Sequence, residues 1–349
     1  MVLRSEDLLQ NAAVRLLLRL GRPVRVEVFP GFGADGWVRV RGRVLFGSVT
    51  VAPASARVTK WSSLWANLSQ FLTMEVPSAA VRVQVGPRME ILGTDREGYL
   101  DAVLQQVPLP AGRHTVTLMP VDPPGVEAHG TVHVPDPDAD VVVVSDIDDT
   151  IIDSGIAHGL LATVTTALLR DASTRVPLEG AAELYRAMAR DADGPERPFI
   201  YLSTSPWNLA RFLQRFLEQH RFPAGPLLLT DWGPGAGGLL RVGTEQHKLT
   251  ALRQLAELFP GPRFVLVGDN GQQDAEIYRT FALEHPGRVA AIYIRLAADD
   301  PVRQQRLSEC ARALDEAAVP FVVAADSADM LRHAQEHGLA VGSGSAEAG

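Results

Sequence analysis

A single cysteine among 349 residues, Cys310, removes two kinds of site at once. No internal disulfide can form and no thiolate cluster can bind a metal, a usage that fits a reducing cytoplasm. Positive charge is also short, with 33 lysines and arginines against 41 acids and a formal charge of −8. Nucleic acids are bound through a basic face, so no nucleic-acid partner is expected. No apolar run reaches the ~18–20 residues needed to cross a bilayer, and no transmembrane segment is expected. Residues 3–20 come nearest, yet Arg15 and Arg19 interrupt them. They lack the unbroken apolar core and small-residue cleavage site of a signal peptide. They read as an amphipathic helix packed on its own domain. The alternative is a helix lying on a membrane surface, because basic residues flank its apolar stripe. The expected location is cytoplasmic, with peripheral membrane contact left open.

What is present is ordinary in bulk, with 46% hydrophobic and 21% charged residues. The length exceeds the ~100–200 residues of one domain, so two are expected. After residues 1–23, the segment 24–135 is a series of short alternating runs. Val24-Arg25-Val26-Glu27-Val28 and Val81-Arg82-Val83-Gln84-Val85 are examples, separated by glycine and proline. Such runs predict an all-β, sandwich-like domain, with one helix-like insert at 62–73. No catalytic constellation appears there, and its partner is left open. Pro135-Asp136-Pro137-Asp138-Ala139-Asp140 suits a connector. From 136 to 341 the rhythm becomes strand, helix, strand. Strands are predicted at 141–145, 199–203, 227–230, 264–267, 289–294 and 321–323, with helices at 207–219 and 248–259. This pattern implies an α/β unit, a parallel sheet covered on both faces. The small, polar tail 342–349 is expected to be disordered.

The decisive stretch is Val141-Val142-Val143-Val144-Ser145-Asp146-Ile147-Asp148-Asp149-Thr150. Four valines read as a strand buried on both faces. Such a strand would be expected to end in neutral residues, yet this one ends in Asp146, Asp148 and Asp149. Chemistry in an open α/β sheet gathers at the carboxyl ends of strands. Asp146 and Asp148 alternate onto one side of an extended chain, where their repulsion calls for a cation or a shared proton. A metal site is the better reading, against an acidic loop that merely caps a helix.

Three further pieces join it. Phe199-Ile200-Tyr201-Leu202-Ser203-Thr204-Ser205-Pro206-Trp207 runs from an apolar strand into three hydroxyl residues. Ser205 reads as an N-cap with Pro206 at the first helical position. That helix start, with the Ser203 hydroxyl, makes an anion cradle, although plain capping is the commoner use of such residues. Lys248 precedes Leu249, Leu252, Leu255 and Leu258, near the start of an amphipathic helix. A cation there opposes the helix dipole by ~0.3–1 kcal/mol. A solvated lysine is the default for any single residue, and the placement of Lys248 between two strand-end motifs favours a task. The last piece is Phe264-Val265-Leu266-Val267-Gly268-Asp269, with Asp274 five residues on. Gly268 is expected to let the chain turn and bring Asp269 over the sheet edge. Asp269 reads as a direct metal ligand, and Asp274 as a further ligand or a residue that orients one. Trp207 is left as a core or interface residue.

In this order, DxDxT at 146–150, a strand ending in Ser203, Lys248, and GDxxxxD at 268–274 resemble the haloacid dehalogenase superfamily of phosphohydrolases. The longer strings Asp-Ile-Asp-Asp-Thr-Ile, Ser-Pro-Trp-Asn-Leu, His247-Lys248 and Gly-Asp-Asn-Gly-Gln-Gln-Asp-Ala-Glu-Ile-Tyr resemble the actin-patch-type phosphatidate phosphatase catalytic domain family. The chain departs from that pattern at Thr204, Asn270 and Ala275, where asparagine, serine and proline are frequent. None of these is a candidate metal ligand, so the departures bear on substrate contacts more than on chemistry. The resemblance implies a Rossmann-like parallel sheet of the haloacid dehalogenase type. It implies that Asp146 is the nucleophile and forms an aspartyl-phosphate, and that Asp148 is the acid and then the base. Mg²⁺ would be held by Asp146, the Asp148 carbonyl and Asp269, with Asp274 in support. Ser203, Thr204 and Lys248 would bind the phosphate.

The expected activity is therefore that of a Mg²⁺-dependent phosphatase, a phosphoric monoester hydrolase, acting on phosphatidate or a related phospholipid at a membrane surface. One alternative is a phosphatase for small soluble phosphometabolites. Another, from a different class, is a non-catalytic interaction protein that uses the β domain. Residues 155–170 read as a helix that packs on the core or lines a lipid groove.

Overall fold

The computed structural model describes residues 14, 16–34, 36–47, 75–147, 150–151, 177–190, 196–230, 244–271, 273–296 and 300–342. Asp148 with its neighbour Asp149, the insert 62–73, the segment 155–170 and residues 343–349 of the tail lie outside them. The chain divides into two compact units, 1–109 with 113–134, and 135–349 with 110–112.

The first unit is built from β1 (Val24–Ala34), β2 (Trp37–Phe46), β3 (Ala80–Val85), β4 (Arg88–Gly93), β5 (Tyr99–Gln105), β6 (Gly112–Asp122), β7 (Gly125–Val126) and β8 (Ala128–Val134). Alternation dictates its core: Val81, Val83 and Val85 are buried while Arg82 and Gln84 face water. The sandwich expectation needs correction. Hydrogen bonds join the strands into one sheet in the order β4-β3-β6-β8-β1-β2-β5, with β7 paired to β1. β2 and β6 are not neighbours in that order, yet a Cβ added to Gly42 would lie 2.6 Å from Leu118 Cδ1. The sheet therefore curls over its own apolar face, and one core serves where two packed sheets were expected. Of residues 3–20, those described are helical at 14 and 16–19. Val14 and Leu17 pack on the β core, whereas Leu16 and Leu20 of the expected apolar stripe are exposed.

The second unit holds six parallel strands, β9 (Val141–Ser145), β10 (Phe199–Pro206), β11 (Leu227–Thr230), β12 (Arg263–Asp269), β13 (Val289–Arg295) and β14 (Phe321–Ala324). Their order is β11-β10-β9-β12-β13-β14. Successive strands step away from β9 on one side and from β12 on the other. The β9/β12 boundary is thus the point where strand order reverses, the place where open α/β sheets bind ligands.

The described helices are α1 (Ala181–Met188), α2 (Ala210–Gln219), α3 (Thr244–Leu258), α4 (Asp274–Glu284), α5 (Pro301–Glu316) and α6 (Ser327–Glu336). They cover the two faces of the sheet. Gly268 on β12 faces Asp274 of α4, where an added Cβ would sit 2.5 Å from its Oδ2. One residue earlier, Val267 is in register with Tyr293 of β13, whose hydroxyl lies 3.1 Å from His333 Nδ1 on α6. Side chains alternate along a strand, so α4 and α6 lie on opposite faces. Valines 141 to 144 are accordingly buried throughout. Among the described residues, no helix is long and apolar enough to cross a membrane.

Candidate active site

The carboxyl ends of β9 and β12 and the starts of α3 and α4 bring four charged side chains together. Asp146, Lys248, Asp269 and Asp274 are each fully buried. Lys248 Nζ donates to Asp146 Oδ1 at 2.7 Å and to Asp274 Oδ1 at 2.5 Å. Lys248 is the fifth residue of α3, so its long side chain reaches back over the sheet edge. Burial alone would push its ammonium down. The charges of Asp146, Asp274 and Asp269 outweigh that and raise it well above the usual lysine range. Lys248 therefore stays charged at any working pH.

The backbone around Asp146 is fixed on both sides. Its N–H donates to the Val267 carbonyl on β12 at 2.9 Å. Its carbonyl accepts the Ser145 hydroxyl at 2.7 Å, and Ser145 Oγ lies 2.6 Å from the Tyr185 hydroxyl on α1. Ser145 has one hydroxyl proton, already given to the carbonyl, so Tyr185 must be the donor of the second bond. Burial drives the Tyr185 phenol far above its ordinary range, which keeps it a donor. Sequence reading passed over both residues. Ser145 showed a signal, a polar residue closing a run of four valines, but Tyr185 showed none. The Thr150 hydroxyl lies 3.4 Å from Asp146 Oδ2.

Asp269 ends β12. Its Oδ1 accepts the Gly271 N–H, which folds the loop back on the strand. Asp274 Oδ2 lies 3.3 Å from the Asp269 N–H. Gly268 does not act as the expected turn. It is an ordinary strand residue without positive φ, and what it supplies is space for the Asp274 carboxylate.

Ser203 and Thr204 stand at the same sheet edge on β10. The expected cap at Ser205 and Pro206 is replaced by more strand: past an irregularity that shifts the register after Leu202, Pro206 pairs with Thr230 of β11. The Thr230 hydroxyl bonds the Thr204 carbonyl at 2.6 Å. A 3₁₀ turn, Trp207–Leu209, then leads into α2, whose N-cap is Leu209. The buried Ser203 hydroxyl accepts the Ser205 N–H at 2.9 Å. It lies inside β10, in the stretch between Leu202 and Pro206 where the strand shifts register against β11, and the first helical turn described after it begins at Trp207.

One oxygen each from Asp146, Asp269 and Asp274 lies within 4.8 Å of the others. Three carboxyl groups share this buried site with one ammonium. A divalent cation would balance them, and an all-oxygen donor set suits Mg²⁺. The residues present therefore fit a hard metal ion.

Residues 141–296 match the family described as "Phosphatidate phosphatase APP1, catalytic domain". Through this segment the chain is similar to that family. The phosphatidate phosphatase APP1 of Saccharomyces cerevisiae is 28% identical over 239 residues, which is 64% of this chain and 39% of the yeast protein. An uncharacterized protein of Schizosaccharomyces pombe is 28% identical over 159 residues, 44% of this chain and 25% of its own length. The match thus spans well under half of either relative. Among solved structures, a carbohydrate acetylesterase from Xanthomonas citri aligns over 88% of this chain and 72% of its own at 12% identity. Its TM-score of 0.35 is too low to bear on fold or function.

Proposed function

We propose that the α/β unit is a Mg²⁺-dependent phosphatase of the haloacid dehalogenase type that releases phosphate from phosphatidate or a related phospholipid. One observation carries the reading: the carboxylates of Asp146, Asp269 and Asp274 converge with Lys248 where the strand order reverses. Kinship with the APP1 catalytic family supports the substrate class. A substrate held in a bilayer means that the protein works at a membrane surface, as a peripheral visitor.

In this reading an Asp146 oxygen attacks phosphorus, and the bond to the leaving alkoxide breaks. Asp148 takes its role from the family resemblance. It protonates the alkoxide and then removes a proton from the water that attacks the aspartyl-phosphate, which frees phosphate and restores Asp146. Dividing the reaction through a covalent intermediate lowers an otherwise very high barrier. When bound, Mg²⁺ would neutralise charge on the phosphoryl oxygens, held by Asp146 and Asp269. Asp274 already accepts the Lys248 ammonium and faces the Asp269 amide, so it orients both. Lys248 holds the Asp146 carboxylate through one oxygen and leaves the other directed by the long contact to Thr150. Ser203 and Thr204 line the phosphate side at the end of β10.

The test is phosphate release from phosphatidate in mixed micelles, alongside sugar and nucleotide monophosphates, with and without Mg²⁺. Metal-dependent release, fastest on the lipid and abolished by Asp146→Asn, is the expected outcome. Faster release from soluble monophosphates would move the substrate class and keep the chemistry. No release from any substrate would leave the interaction-protein reading in its place.

A further inference from the structure

We infer that Arg295, the last residue of β13, is a phosphate-binding residue: its guanidinium receives the phosphoryl oxygens of a phosphate monoester at the carboxyl edge of the sheet. The inference rests on the phosphatase reading for its reaction, although its ligand chemistry needs only a phosphate dianion.

The position comes from register. Arg295 is the cross-strand partner of Asp269, and its carbonyl accepts the Asn270 N–H at 2.9 Å. The backbone of Arg295 is thereby tied to the loop that carries a candidate metal ligand. It lies two residues beyond Tyr293, so its side chain points to the α1/α6 face. Its charge is felt there, since it opposes the rise of the Tyr185 phenol. Tyr185 is one hydrogen bond from Ser145, whose hydroxyl holds the Asp146 carbonyl.

The chemical need comes from charge. Lys248, the cation at the centre, already donates to Asp146 and Asp274. A phosphate monoester brings two further negative charges to a cluster rich in carboxylates. A second cation at the same edge answers that need, and Arg295 is placed to supply it. Its Nε is buried without a hydrogen-bond partner among the described residues. Buried guanidinium nitrogens are costly to leave unsatisfied, so a site of this kind is completed by an acceptor. A planar guanidinium suits phosphate, to which it can donate two parallel bonds.

The test compares the parent with Arg295→Gln and Arg295→Lys. Kinetics are run on a soluble aryl phosphate and on phosphatidate micelles, and inorganic phosphate binding is followed by calorimetry in Mg²⁺. Melting curves first establish that both variants fold. For Gln, KM and the phosphate dissociation constant should rise ~10–100-fold on both substrates, with kcat reduced less. Lys should recover part of the loss, because it restores charge without the planar fork. A folded Gln variant with parental phosphate affinity would overturn the inference, as would a defect confined to the lipid substrate. An inactive parent would defeat the phosphatase reading alone, since the phosphate isotherms would still decide Arg295. A parent that neither hydrolyses substrate nor binds phosphate would defeat both.

Discussion

Buried charge is handled in opposite ways by the arginines of the β unit and by the candidate site of the α/β unit. In the β unit, Arg41 is 4% exposed and is pushed down to about 10, by burial above all. Its partner Asp101 stands 44% exposed at the rim, 3.5 Å away, where Arg39 also grips it. Arg43 meets Glu75 in the same half-wet manner. In the α/β unit, both members of the Lys248 pairs are fully buried, and acids outnumber the cation. A cation tethered to a solvated acid ties neighbouring strands, as Arg39 and Arg41 of β2 are tied to Asp101 of β5. A buried excess of carboxylates stabilises nothing by itself, because desolvation opposes it, and it persists where a ligand completes the balance. The contrast separates scaffold from site without any appeal to motifs.

Removing the central cation should break that contrast most severely. Lys248→Met leaves Asp146 and Asp274 buried without their ammonium. Stability by urea denaturation at neutral pH should fall by ~3–5 kcal/mol, with turnover lost. Added Mg²⁺ should return part of the stability and none of the turnover. A variant as stable as the parent without metal would show that the cluster is not ionised as drawn.

Gly268→Ala comes next. The new methyl would meet Asp274 Oδ2 at 2.5 Å and its Cβ at 2.7 Å, so α4 or the carboxylate must move. A loss of ~1–3 kcal/mol is expected, with a fall in kcat of ~10²-fold from misplacement of the acid. Unchanged kinetics would mean that Asp274 has no part in positioning.

These two positions also measure how far the sequence could be read. All six strands of the α/β unit lie within a residue or three of their expected ends. A run of β-branched residues buried on both faces leaves little else to be. That Asp146 and Asp269 meet was also legible, because strand ends converge wherever helices return the chain to one sheet. What pairing decides was not legible. Pro206 continues β10 because of Thr230 on a neighbouring strand, and Gly268 serves Asp274 on a facing helix. The Tyr185–Ser145 bond joins positions forty residues apart, and no local pattern announces it. The single curled sheet of the β unit was hidden for the same reason, since alternation reveals a buried face but not which strands share it.

Smaller effects should sharpen the comparison from the scaffold side. Asp101→Ala strips the acid from Arg39 and Arg41, which should destabilise the β unit by ~1–3 kcal/mol in denaturant melts. kcat on a soluble phosphomonoester should stay at the parental value. A loss of activity without unfolding would assign the β unit a share in the chemistry.

The smallest effect is a pH slope. Burial, and then the nearby Arg113, push the His133 imidazole down to about 4. The unfolded chain takes up this proton near 6.5, before the folded one does, so stability falls as pH drops from about 6.5 towards 4. His133→Gln should flatten that part of the stability curve. An unchanged slope would show that other groups govern it.

The central claim is that Asp146 captures phosphorus, and acid-quenched turnover of radiophosphorus-labelled phosphatidate tests it most directly. Label should appear in the peptide that holds Asp146, be released by hydroxylamine as an acyl phosphate is, and vanish in Asp146→Asn. Full turnover by Asp146→Asn, or label on a different residue, would contradict it.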